Sequence, residues 1–206
     1  MVKRRNVFIN VPFDSRFEPL YVALIVGLVG LGLIPRSSLE VPLVSKGGRR
    51  PKQRLDRIFQ LLRSCEFSLH DLSRVQLSRS APRCPRFNMP FEAGLATALS
   101  LSGYKHRWSV LEEIDYRLQK SLSDLNGHDP FIHNGTVERL LVKLTDIFPG
   151  GRNQPDPIQL FSLYRKVRVA ASKLKQAYGN DLFSPSCFRK LIYISQVAAR
   201  REGYIR

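Results

Sequence analysis

The chain has 206 residues, 43% hydrophobic and 24% charged, which is the composition of a folded globular protein rather than a disordered one. A chain of this length buries about 70% of its unfolded surface and needs neither disulfide nor metal to fold, and 13 Gly and 13 Pro without a repeat exclude a fibrous architecture. Thirty-three Lys and Arg against 17 Asp and Glu leave a formal charge of +16, a field that attracts nucleic acid, acidic proteins and phosphorylated ligands without choosing among them.

Asn6 to Val11 is short, apolar and rich in β-formers, so it reads as a buried strand. Pro12-Phe13-Asp14-Ser15 ends it, and Leu20 to Leu31 predicts a helix. The apolar run Leu20 to Ile34 is shorter than the ~20 residues of a membrane span. It also lacks a small-residue cleavage site, so it is expected in the core and not in a membrane or a leader. Gly32 to Arg36 predicts a second strand. Pro42 to Pro51 reads as a polar, mobile loop, and Lys52 to Arg63 as an amphipathic helix, with Leu55, Ile58, Phe59, Leu61 and Leu62 at helical spacing. Glu66 to His70 predicts a third strand, followed by Asp71-Leu72-Ser73 and a loop rich in Arg, Ser and Pro that runs to Pro90. Phe91 to Leu101 predicts a buried helix and Trp108 to Leu111 a fourth strand. Helices are expected at Tyr116 to Leu125 and Val137 to Phe148.

Strand and helix alternate through Phe148, which argues for a parallel sheet with helices on both faces. Ligands of such sheets bind beyond the carboxyl ends of the strands. Three of those ends are polar here: Pro12-Phe13-Asp14, Arg36-Ser37-Ser38 and Asp71-Leu72-Ser73. Residues 149–155 read as a linker. Two further helices, Ile158 to Tyr178 and Pro185 to Arg201, follow as a basic appendage in which ten Lys and Arg after Pro157 face only Asp181 and Glu202. The expected division is therefore an α/β domain over residues 1–149 and a linker with a basic helical tail over 150–206.

Cys65, Cys84 and Cys187 are odd in number and lack CxxC spacing, so a disulfide scaffold is not expected and a reducing cytoplasm is. His70, His106, His128 and His133 show no metal-ligand spacing, and no metal site is expected. His70, at the end of a core strand, reads as a satisfied buried group rather than a general base. Gly27, Gly30 and Gly32 form no phosphate-binding motif and read as packing positions.

The segment Arg86-Phe87-Asn88-Met89-Pro90-Phe91-Glu92-Ala93-Gly94 is the most informative. Pro90 suits a first helical turn, Asn88 is a natural cap, and Glu92 lies in the first turns among small residues. The helix dipole is expected to hold Glu92 ionised, and a carboxylate in a pocket can stabilise or attack an oxocarbenium-like sugar carbon. The alternative is that Glu92 merely complements the dipole or pairs with Arg86.

These blocks resemble the TIR-like and nucleoside 2-deoxyribosyltransferase-like superfamily. They are Val7 to Asp14, His70-Asp71-Leu72-Ser73 and Asn88 to Gly94. Together with Pro85 to Pro90, Asp115 to Lys120 and Ser123 to Asp129, they are most similar to a group of bacterial TIR-like proteins, over roughly 6–148. The resemblance implies a flavodoxin-like fold and cleavage of an N-glycosidic bond, with NAD⁺ as a substrate and no separate cofactor. It implies that Glu92 is the catalytic carboxylate and that Asp71 and Ser73 lie against base or ribose. Pro12, Phe13 and Asp14 would line the pocket, and Asn88 would orient the carboxylate. It further implies bacterial antiviral defence or stress signalling and a homo-oligomer or larger defence complex. Two other readings stand beside it: a non-catalytic nucleotide-sensing or assembly module, and a nucleic-acid-associated protein acting through its basic tail, where Tyr164, Tyr178 and Tyr193 interleave with cations.

Overall fold

The computed structural model describes residues 5–41, 54–74, 81–151, 154–179 and 181–206. The loop expected over Pro42 to Pro51 lies outside the described residues, as does 75–80 of the segment before α3. The strands are β1 (Asn6–Asn10), β2 (Ile34–Ser37), β3 (Phe67–Asp71), β4 (Arg107–Glu112) and β5 (Phe131–Ile132). All are parallel, in the order β2-β1-β3-β4-β5. The helices are α1 (Glu18–Gly30), α2 (Arg54–Arg63), α3 (Asn88–Leu101), α4 (Arg117–Ser121), α5 (Val137–Ile147), α6 (Pro157–Ala177) and α7 (Pro185–Arg201). This is the flavodoxin-like doubly wound α/β fold, whose strand order reverses between β1 and β3.

The central strands are buried on both faces, so their residues divide by parity. In β1, Phe8 joins Ile58, Leu62, Ala96 and Leu99 of α2 and α3 on one face. Val7 and Ile9 join α1 and α5 on the other. Helix α1 has no polar side: every residue from Leu20 to Gly30 is buried. It can be apolar all round because it is covered all round, by the sheet, α5, α6 and α7. Two glycines set the spacing. A Cβ on Gly27 would stand 2.5 Å from Leu144 and 2.9 Å from Leu141 of α5, and one on Gly30 would stand 2.6 Å from Leu160 of α6.

Helices α6 and α7 contribute Leu160, Leu163, Val167, Phe188 and Leu191 to the same apolar cluster as β1 and α1. Asp156 and Gln159 form a capping box on α6, and the Ser184 hydroxyl caps α7. The segment between them returns to the sheet end, where Phe183 packs at a tilt against Phe13 (5.6 Å between ring centres) and Tyr21 (5.0 Å).

The structure differs from the sequence reading in three places. Strand β5 is only two residues long, too short to show alternation, and lies in a stretch to which the sequence assigned no element. The helix expected over Tyr116 to Leu125 is broken: Tyr116 takes a left-handed φ of 60°, α4 runs five residues, and a 3-10 turn covers Ser123–Leu125. Finally, Phe87 rather than Asn88 precedes the first turn of α3, and no side chain caps it.

Among the described residues no helix is long and apolar enough to cross a membrane, and no cluster of three or more His, Cys, Asp or Glu could hold a metal ion.

Candidate functional site

The residues singled out by sequence gather around the carboxyl ends of the strands, in three clusters.

The first cluster centres on Glu92, in the second turn of α3, 9% exposed. No described residue gives its carboxyl a hydrogen bond or salt bridge. Arg54 lies close enough to favour the ionised form by its charge, but burial outweighs it and pushes the Glu92 carboxyl from its ordinary 4.5 up to about 7. The expectation of a dipole-held carboxylate is thus corrected: desolvation wins, and the group is poised between its two protonation states at neutral pH. Arg54 itself donates to the carbonyls of Val41 (2.8 Å) and Ser38 (3.3 Å), which ties the start of α2 to the end of β2. Arg86 is not its partner; it turns to Phe13 and Asp14. Asn88 is exposed at the start of α3, one turn before Glu92.

Below Glu92 the first turn of α3 is held by Asn10, the last residue of β1. Its amide nitrogen donates to the Met89 carbonyl (2.8 Å) and contacts His70 Nδ1 (2.9 Å), its register partner on β3. The chain continues from His70 Nε2 to Ser68 Oγ (2.8 Å), from Ser68 Oγ to His106 Nε2 (2.8 Å), and from His106 Nδ1 to the Cys65 carbonyl (2.9 Å). Its direction follows from its ends. A carbonyl only accepts, so His106 Nδ1 carries a proton and its Nε2 accepts from Ser68. Ser68 then accepts from His70 Nε2, and His70 Nδ1 accepts from Asn10. Each polar hydrogen of the chain is used once and both imidazoles are neutral. Burial, with His106 nearby, lowers His70 to about 3. Burial also lowers His106, against the opposing bond to Cys65.

The second cluster lies at the ends of β3, β4 and β5. Asp71 is fully buried, accepting from the Ser73 backbone (3.0 Å) and from His133 Nε2 (3.0 Å). Gly135 N–H donates to His133 Nδ1 (3.0 Å), which fixes His133 as the neutral Nε2–H form. Ser73 Oγ is 3.2 Å from the same nitrogen. Beside them Arg117 joins the buried Glu112 carboxylate and donates to the Ser73 carbonyl (2.8 Å). Asp71 and Ser73 are therefore engaged inside the protein.

The third cluster is the loop after β1. Pro12 is buried, and Phe13 packs into the aromatic group with Tyr21 and Phe183. Asp14 accepts from the backbone of Arg16 and Phe17 at the start of α1 (3.0 Å each), and faces Arg74 (3.3 Å) and Arg86 (4.0 Å).

Sequence reasoning missed Asn10, Arg54, Arg74 and His133, and it read Arg86 only as a possible partner of Glu92. The legible signal was a polar residue closing an otherwise apolar central strand, which holds for both Asn10 and His70. Arg54, Arg74 and His133 are remote in sequence and carried no signal.

The fold and these clusters define a doubly wound α/β protein with a buried carboxyl at its topological switch point. Comparison with known proteins adds no relative: no family model, no curated protein and no solved structure matches the chain.

Proposed function

We propose that this protein is a TIR-like N-glycosidase that cleaves the bond between base and ribose of NAD⁺ or a related nucleotide, in bacterial antiviral defence or stress signalling. The observation that carries the reading is Glu92: a buried carboxyl without a hydrogen-bonding partner among the described residues, on the helix that follows β3, beside the point where strand order reverses. Structural carboxylates at comparable positions are engaged, as Asp71 and Glu112 are.

The chemistry asks little more than such a group. The C1′–N bond of NAD⁺ breaks with its electron pair going to the pyridinium nitrogen, which leaves as neutral nicotinamide. The ribosyl carbon becomes cationic, and ionised Glu92 stabilises it across a low-dielectric gap. Water adds at C1′ and loses a proton, giving ADP-ribose. Asn10 serves as a positioning residue, holding the first turn of α3 through Met89.

The test is nicotinamide release from NAD⁺, followed by chromatography at high protein concentration, for the wild type and Glu92→Gln. Release that disappears in the folded variant supports the reading; equal release from both overturns it. The engagement of Asp71 and Ser73 by His133 favours a second reading, a nucleotide-sensing or assembly module without turnover. There, no nicotinamide is released, and Glu92→Gln changes only the affinity for nucleotide.

A further inference from the structure

Helices α6 and α7 run antiparallel: Lys166 meets Glu202 (2.6 Å) near one end, and Lys190 lies over the Tyr178 ring (4.4 Å) at the other. Between them is a groove of 480 Å³ with an apolar floor that includes Val167, Ala170 and Val197. Helix α7 turns Phe188, Leu191, Ser195 and Ala199 inward. Arg189, Tyr193 and Arg200 recur on its opposite, outward stripe. Arg201 lines the groove, and Lys173 is exposed two turns along α6 from Lys166, on the same helical stripe by spacing.

The local charge is one-sided. Lys166 is matched by Glu202, and Lys175 by Glu18 (2.8 Å). Asp181 and Glu202 are the only acids after Pro157. Lys173, Arg189, Arg200 and Arg201 form no ion pair with any described residue, and all four are exposed. In their midst Tyr193 is 64% exposed, a large aromatic surface left in water.

We propose that the α6–α7 face binds single-stranded nucleic acid. The four cations contact successive phosphates along about 18 Å of helix, and Tyr193 stacks an unpaired base. An acidic protein would satisfy the cations, but it gives no reason for the exposed ring among them. This surface stands apart from Glu92, so its occupancy does not depend on catalysis.

The test uses the full chain and a fluorescent 20-nucleotide mixed-sequence single-stranded DNA, read by anisotropy across a salt series. Four contacts predict a log–log slope of about −3 at about −0.7 for each contact on a single strand. The triple change Lys173→Glu, Arg189→Glu and Arg200→Glu lowers affinity at least tenfold and reduces the slope to about −1. Tyr193→Ala weakens binding fivefold or more, by the usual range for a stacked base, and Tyr193→Phe restores it. All these positions are exposed, and an unchanged melting temperature confirms folding. Four results overturn the proposal: no binding at low salt, a flat salt response, full affinity in Tyr193→Ala, or competition by polyglutamate as strong as by unlabelled DNA. The last would assign the face to an acidic protein.

Discussion

Glu92→Gln separates the state of the buried carboxyl from any question of activity. A carboxyl whose folded-state value is raised from 4.5 to about 7 binds its proton more tightly in the native state than in the unfolded chain. Stability linked to it is fully present below about pH 4.5 and is lost as pH rises to about 7. At about 1.4 kcal/mol for each tenfold, the loss amounts to about 3 kcal/mol. Gln has nearly the same shape and does not titrate, so the variant and the wild type should be equally stable at pH 4.5 or below. At pH 8.5 the variant should be the more stable by about 3 kcal/mol, or roughly 6–12 °C in melting temperature for a chain of this size. The difference between the two proteins is the quantity to measure, because the wild-type curve alone conceals it. His70, lowered to about 3, makes stability rise with pH up to about 6.5, and this opposes Glu92 over most of the same window. Urea denaturation at pH 4.5, 6, 7 and 8.5 gives the comparison. Parallel curves, with the same gap at every pH, would refute the claim that burial sets the state of Glu92.

Under the glycosidase reading the ionised form acts, so log kcat/KM for NAD⁺ should climb with pH and level off above about 7; a profile flat from pH 5.5 to 8 contradicts it. Asn10→Leu strands the Met89 carbonyl and the His70 acceptor, which should cost about 2–4 kcal/mol of stability in chemical denaturation; a loss under 1 kcal/mol would mean that the directional chain does not hold α3. Gly27→Val should destabilise by about 1–3 kcal/mol through overpacking against Leu141 and Leu144, measured the same way. Phe188→Ala should cost about 3–5 kcal/mol, as for any buried core aromatic, and a negligible loss would show that α7 is not part of the core.

The sheet was legible because burial on both faces forces apolar runs, as at Val7-Phe8-Ile9. Alternation of strand and helix implied parallel pairing, whereas the reversal between β1 and β3 was implied only by the resemblance to a flavodoxin-like fold. The short helix and two-residue strand after β4 were not legible, since their form rests on Tyr116 and on pairing with Leu111 and Glu112. Glu92 stood out by its place in a helix start, yet its ionisation could not be judged from spacing, because the desolvation arises from tertiary packing. The engagement of Asp71 by His133 joins residues 62 apart in sequence. The linker composition and the run of Lys and Arg marked out α6 and α7 as a basic appendage, while the packing of their inward faces on α1 appears only in three dimensions.

That cover has a consequence for how the chain is made. Helix α1, the most apolar segment, is synthesised early, whereas α7 ends 171 residues after it. At about 5–20 residues per second, this apolar helix waits roughly 10–35 s before its last partner exists. During synthesis the protein therefore presents a chaperone-type client segment well before the helices that cover it, and slowing translation between α1 and α7 should lower its soluble yield even with every native contact left intact.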